Sequence, residues 1–168
     1  MRLKNTYNRV VSIDPGGTNG ICIAKGDGTD WQITYVDGLE KHKLYEVLEQ
    51  VEAEGTLLIY ETYRLYESKA KVMVGNEFET VQIIGVIKYI CEKRGIPYRD
   101  SPTSNKAFFT DQRLKDMGLY IAIDHKRDAI RHFLYWMYFI AKCGNLEDVL
   151  GTRHNKEGGA KTNGKSGK

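Results

Sequence analysis

The first part of the chain alternates short apolar runs with turn residues. Apolar and β-branched residues fill 10–13, 20–24 and 31–36, and each run has the length of a strand. The tripeptide Gly-Asp-Gly at 26–28 is a tight-turn sequence between the second and third runs. Because the connections are short, we predict three consecutive strands that pair as an antiparallel meander.

The next part changes to a helical period and then to a buried strand. Leucine and valine recur at helical spacing within 39–54, and Gly55 follows as a stop signal. Residues 56–60 (TLLIY) are a continuous apolar run, typical of a strand buried on both faces. A second helix is predicted over 77–94, where apolar residues again recur with helical period before Gly95.

The last part contains one more strand and two more helical regions. We predict a short edge strand at 96–98, a loop and a basic helix within 101–117, and a final helix from 123 to 142. This order predicts an α/β fold with a mixed five-stranded sheet, in which three antiparallel strands are followed by parallel ones and helices cover both faces. It resembles the order of the ribonuclease H-like fold.

Composition indicates one globular domain followed by a tail. The chain has 168 residues, 41% hydrophobic and 28% charged, which suits a single domain over 1–150. Residues 151–168 are rich in Gly and Lys with one acidic residue, so we predict a disordered tail. With a net charge of +3, a basic tail suits a polyanionic partner, although it could equally be a solubilising end.

Two further features exclude other classes of protein. The longest apolar run, 133–140, is too short to cross a bilayer, and the first residues lack the apolar core of a signal peptide. We therefore expect a cytoplasmic protein. The three cysteines are scattered without a paired spacing, which indicates neither a disulfide framework nor a zinc site.

Carboxylates end two of the predicted buried strands. Asp14 follows the first strand and Glu61 the fourth. If these strands are parallel neighbours, the two carboxylates emerge together and repel each other unless cations share them. On the last helix, His125 and Asp128 are three residues apart and share a face. Oxygen and imidazole ligands of this kind suit Mg²⁺ or Mn²⁺, whereas Asp14 could also be an ordinary turn residue.

Three ordered motifs resemble a known family. The sequences IDPGGTNG, LLIYET and DHKRDAIRH are similar to those of RuvC-like Holliday-junction resolvases, especially the small phage-encoded members. The resemblance implies a homodimeric endonuclease of bacterial or phage-infected cells that cuts four-way junctions, forks and flaps. It implies two Mg²⁺ ions, replaceable by Mn²⁺, held by Asp14, Glu61, His125 and Asp128. Asp124, otherwise a helix cap, is a rival to His125 as the fourth ligand.

The resemblance also implies a DNA-binding surface. Lys106 occupies the place of a basic residue near the scissile phosphate. The loop after Glu61 mixes basic residues with tyrosines, and Tyr66 is the first candidate for a ring that opens the junction, with Tyr63 and Phe78 as alternatives. The predicted DNA contacts are Arg64, Tyr66, Lys69, Lys71, Lys106, Arg113 and Arg127. For the homodimer, the helix at 77–94 offers Ile83 and Ile87, unless that face lies in the core.

Two other functions remain open from the sequence. IDPGGTNG also resembles the phosphate loop of the hexokinase-like sugar kinases, in which a Gly-Gly turn approaches a phosphate. Those kinases bind ATP between two related domains, whereas this chain has the pattern of one. The third possibility is a non-catalytic protein that binds branched DNA.

Overall fold

A computed structural model describes residues 6–63 and 78–144 of the chain. Within these residues, five strands form one sheet in the order β3-β2-β1-β4-β5. The strands are β1 (Arg9–Asp14), β2 (Asn19–Asp27), β3 (Asp30–Leu39), β4 (Thr56–Glu61) and β5 (Tyr98–Ser101). β2 pairs antiparallel with β1 and β3, whereas β4 pairs parallel with β1 and β5. The predicted mixed sheet of a ribonuclease H-like fold is confirmed.

The helices follow the predicted order with different bounds. They are α1 (Lys41–Gln50), α2 (Glu79–Arg94), α3 (Asn105–Phe108), α4 (Asp111–Asp116) and α5 (Asp124–Tyr135), and α5 continues into a π-helical segment, Trp136–Ile140. The predicted stop at Gly95 is a left-handed cap with φ of 68°. Among the described helices, none combines the length and the apolar character that a membrane span requires.

Three predicted bounds were wrong for local reasons. β3 continues to Leu39 because this residue pairs with Asn19 of β2, so α1 begins two residues later than predicted. β5 lies at Tyr98–Ser101 rather than 96–98, because Leu58 of β4 pairs with Tyr98. The basic helix predicted after β5 is divided into α3 and α4.

Each face of the sheet packs against its own helices. On one face, buried side chains of the central strands contact α1 and α2; on the other, they contact α4 and α5. Ile83 and Ile87 of α2 are 1% and 0% exposed and belong to the first of these cores. The prediction that they form a dimer interface is therefore wrong, and the alternative that this face lies in the core is confirmed.

Helix α5 crosses the sheet from β2 towards β4. Its first turn lies directly on β2, where a Cβ added to Gly20 would be 1.8 Å from the carbonyl oxygen of His125. Farther along, Ser12 of β1 donates a hydrogen bond of 2.7 Å to the carbonyl of Ala129. The last turn reaches β4, where His132 contacts Glu61. This crossing decides which residues of α5 meet the strand ends.

Candidate active site

Asp14, Glu61 and His132 converge at the carboxyl ends of the two parallel strands β1 and β4. Their ligand atoms all lie within 4.8 Å of one another. The predicted convergence of Asp14 and Glu61 follows from the register, which pairs Ile13 with Tyr60, the residues just before them. His132 lies 2.9 Å from Glu61, measured between Nε2 and Oε2. Two carboxylates and an imidazole of this spacing could hold a divalent cation.

The turn after β1 leaves Asp14 available to this cluster. Asn19 fixes the turn, because its Oδ1 accepts a hydrogen bond of 3.2 Å from the Gly16 backbone. The side-chain nitrogen Nδ2 of Asn19 also donates a hydrogen bond of 3.0 Å to the carbonyl of Leu39 and so holds the end of β3. Asp14 forms a side-chain hydrogen bond with Glu61 instead. The arrangement therefore differs from an aspartate that only closes its own turn.

The two carboxyl groups share a proton in the absence of a cation. Burial, followed by the hydrogen bond and charge of Glu61, raises the pKa of Asp14 to about 8. Burial also acts to raise the pKa of Glu61, but the hydrogen bonds from His132 and Asp14 outweigh it and lower that pKa to about 2. At neutral pH the proton therefore stays on Asp14 and is donated to Glu61.

Asp128 lies beside this pair and is held by two cationic side chains. Its Oδ2 is 2.7 Å from Lys106 Nζ, and its Oδ1 accepts a hydrogen bond of 2.7 Å from Arg131. Arg131 is itself fixed, because it donates a hydrogen bond of 2.7 Å to the carbonyl of Phe109 and forms an ion pair with Asp111. Asp128 and Arg131 are only 7% and 6% exposed. One oxygen of Asp128 thus contacts Lys106 and the other Arg131.

Lys106 lies among all three carboxylates. Partial burial alone would lower its pKa, but the hydrogen bond to Asp128 and the charges of Glu61, Asp128 and Asp14 outweigh it and raise the pKa. The side chain is 45% exposed, so its ammonium group can also reach solvent. This position suits a group that contacts an anionic substrate, as the sequence predicts.

His125 and Asp124 lie away from the cluster. The ring of His125 lies against β3, where a Cβ on Gly38 would be 2.8 Å from its Nε2. Gly38 pairs with Gly20, and Gly20 with Asp14, so the backbone of Gly38 beneath this ring is two strands, about 10 Å, from that of Asp14. The Asp124 side chain is 82% exposed and pairs with Arg127. The geometry therefore does not support either residue as a ligand beside Asp14.

His132 is the functional candidate that the sequence interpretation missed. It is four residues after Asp128, a spacing that also places two side chains on one helical face. The family resemblance instead favours His125, three residues before Asp128. The signal for His132 was present in the motif DHKRDAIRH, but the crossing of α5 over the sheet decides between the two histidines.

The predicted DNA contacts are only partly within the described residues. Arg64, Tyr66, Lys69 and Lys71 lie outside them. Arg113 is half-buried, with its guanidinium carbon 4.3 Å from the ring centroid of Phe108. It also donates a hydrogen bond of 2.6 Å to the backbone carbonyl of Phe108. Arg127 is 9% exposed and pairs with Asp111 and Asp124, so its placement does not support contact with DNA. Of the alternative wedge residues, Tyr63 and Phe78 contact each other at 6.1 Å between ring centroids.

Comparisons with known proteins identify the fold. No family model matches the chain, and no curated protein matches it either. Among solved structures, RuvC of Thermus thermophilus superposes with a TM-score of 0.57 at 14% identity over 77% of this chain and 94% of RuvC. The same enzyme in complex with a Holliday junction substrate gives 0.56 at 14% identity, again over 77% and 94%. The yeast mitochondrial Holliday junction resolvase Ydc2 gives 0.52 at 12% identity over 82% of this chain and 80% of Ydc2. The chain therefore shares the fold of RuvC.

Proposed function

We propose that the protein is a metal-dependent, structure-selective DNA endonuclease that cleaves Holliday junctions and other branched DNA. The observation that carries this proposal is the meeting of Asp14, Glu61 and Asp128 around Lys106 beside the carboxyl ends of β1 and β4. Three carboxylates in one place are costly unless protons or cations offset their charge, and two metal ions could take the place of the shared proton and of Lys106. The fold supports the same conclusion, since solved structures that share it include a RuvC bound to a Holliday junction.

Each side chain of the cluster has a distinct role in this proposal. Two Mg²⁺ ions, replaceable by Mn²⁺, would activate the attacking water and neutralise charge on the phosphate. Asp14, Glu61 and Asp128 would hold these ions through their carboxylate oxygens. His132 would supply the imidazole that the sequence interpretation assigned to His125. Lys106 leaves Asp128 and donates to the phosphate, where its charge stabilises the transition state.

We propose that the working form is a homodimer, because a four-way junction has two opposed strands to be cut. Since Ile83 and Ile87 lie in the core, the exposed side of α2 is the surface left for this contact. Val81 and Tyr89 on that side are 47% and 62% exposed. Light scattering of the protein, free and on junction DNA, tests the proposal, and a monomer in both states would refute it.

The sugar-kinase alternative is not favoured. It rests on the turn after Asp14, but that turn is held by Asn19, and Asp14 belongs to a cluster with Glu61. The solved structures that share this fold, RuvC and Ydc2, favour the nuclease instead. A non-catalytic DNA-binding protein stays possible and is separated by experiment: it would bind junctions without cutting them.

The decisive experiment is cleavage of a labelled panel of DNA structures. Four-way junctions, forks, flaps, duplex and single strands are incubated with the protein in Mg²⁺, Mn²⁺ or EDTA. We expect branched substrates to be cut only with a metal ion, leaving 5′-phosphate and 3′-hydroxyl ends. Asp14→Asn and Glu61→Gln should each reduce cleavage by orders of magnitude while junction binding persists. Binding without cleavage by the wild-type protein would refute the proposal.

Matched variants on α5 test the assignment of residues. Asp128→Asn should abolish cleavage, whereas Asp124→Asn, four residues earlier and 82% exposed, should leave it nearly unchanged. His132→Asn should lower cleavage, and His125→Ala should not. The opposite result for the two histidines would show that α5 is turned or shifted relative to this structure.

A further inference from the structure

Buried hydrogen bonds hold the ring nitrogen of His132 that does not contact Glu61. Its Nδ1 lies 2.7 Å from Nδ2 of Asn105 and 2.8 Å from the hydroxyl of Ser101. His132, Asn105 and Ser101 are 0%, 1% and 2% exposed, so none of them depends on solvent for these contacts. Among the described residues, the other amide atom of Asn105, Oδ1, is buried without a hydrogen-bond partner.

This arrangement determines where the proton of His132 lies. The NH₂ group of Asn105 can only donate, so Nδ1 must accept and carry the lone pair. The proton is then on Nε2, which donates it to Glu61 Oε2 at 2.9 Å. In this tautomer Nε2 has no lone pair for a cation. His132 therefore orients Glu61 but cannot itself be a ligand.

We propose that Asn105 is a positioning residue that selects the tautomer of His132 and thereby decides whether His132 binds metal. Rotating the amide of Asn105 by 180° exchanges two groups of nearly equal size and brings Oδ1 to Nδ1. Oδ1 then accepts from Nδ1–H, and the lone pair of Nε2 faces Asp14 and Glu61. The carbonyl that has no partner in this structure is thus the acceptor in the metal-bound state, where ligating histidines donate their other N–H.

The exchange of protons conserves charge. Nε2 releases one proton to water by way of Glu61, whose carboxylate is left unprotonated for the cation, and Nδ1 takes the hydroxyl proton of Ser101, which is replaced by one from water, so the ring stays neutral. Ser101 fits both states because a hydroxyl can donate or accept. Asn105 is free for this role, since the cap residue of the short helix α3 is Ser104 and no side-chain cap bond is formed there. This inference rests on the proposed function, because it requires a cation beside Asp14 and Glu61.

Nitrogen NMR of the labelled histidine side chains tests the inference directly. In EDTA, the wild-type protein should carry the His132 proton on Nε2, and saturating Mg²⁺ should move it to Nδ1. Asn105→Asp offers only an acceptor, so the proton should be on Nδ1 with or without Mg²⁺. Asn105→Leu offers neither donor nor acceptor and should weaken Mn²⁺ binding about 10-fold, measured by titration without DNA.

Two comparisons separate this role from a merely structural one. Asn105→Asp should restore the Mn²⁺ affinity that Asn105→Leu loses, whereas Ser104→Ala should retain wild-type affinity and tautomer. A proton that stays on Nε2 in Mg²⁺-saturated wild-type protein would overturn the inference, as would unchanged affinity in Asn105→Leu. Wild-type protein that binds neither Mg²⁺ nor Mn²⁺ would instead overturn the proposed function.

Discussion

Replacing Asp14 with asparagine should stabilise the metal-free protein, and the gain should grow with pH. The pKa of Asp14 is raised from 3.8 to about 8. Between these values the folded protein holds a proton that the unfolded chain has lost, so the stability of the wild-type protein falls as pH rises. Asparagine has no such proton to lose, and its NH₂ group can still donate to Glu61. The difference between variant and wild type should therefore increase from about pH 4 to pH 8 and then level off.

The size of this effect follows from the same pKa values. Each pH unit in the window contributes at most about 1.4 kcal/mol, which gives an upper limit of about 6 kcal/mol. One feature reduces it: water reaches part of the Asp14 side chain, which is not fully buried. The pKa of Glu61, lowered to about 2, lies below this window and does not change the pH dependence within it. We expect about half of the limit, roughly 2 to 3 kcal/mol at pH 8.5.

Urea unfolding in EDTA at pH 5, 7 and 8.5 measures this difference. Asp116→Asn is the matched control, because Asp116 is exposed and bonds only Gln112 among the described contacts. The difference in free energy of unfolding between this variant and the wild type should be the same at all three pH values. If the difference between Asp14→Asn and the wild type is also independent of pH, Asp14 does not hold a shared proton, and the electrostatic account of the site fails.

Three further changes test the packing, the support of the site and the tail. Gly20→Ala should destabilise the protein by about 3 kcal/mol in urea unfolding, because the new Cβ would meet the backbone of His125. Its control, Gly85→Ala, has open space around the new Cβ and should be neutral or slightly stabilising. Arg131→Lys should cost about 3 kcal/mol, because one ammonium group cannot replace three fixed contacts; an unchanged midpoint would refute this. Removing 151–168 should weaken DNA binding and flatten its salt dependence, and an unchanged salt slope would mean that the tail does not contact DNA.

The strand ends were predictable because sheet geometry is set by local patterns. The apolar runs before Asp14 and Glu61 fixed both strands, and the order of elements made them parallel neighbours. When two neighbouring strands are parallel and each ends in a carboxylate, the two carboxylates must lie close together. The same reasoning from pattern could not place Ile83 and Ile87, since an apolar helical face packs equally well against its own sheet or against another subunit.

The histidine of the site depended on a tertiary feature that spacing does not contain. Seven residues separate His125 from His132, about 10 Å along a helix, which is enough to span two strands. Both histidines lie within helical reach of Asp128, so either could have been chosen from the sequence. The contact with Gly20 fixes the start of α5 over β2, and this placement brings His132 into contact with Glu61.

Without metal ions, the site offsets its negative charge in two different ways. Asp14 and Glu61 share a proton, whereas Asp128 is paired with Lys106 and Arg131. The roles of these two cations differ because Arg131 is buried with its donors occupied, while Lys106 is 45% exposed. Arg131 can therefore keep Asp128 in place when Lys106 leaves. In the proposed mechanism, Lys106 would therefore become available to a DNA phosphate only when another positive charge takes its position, so its contact with the phosphate would depend on a loaded site.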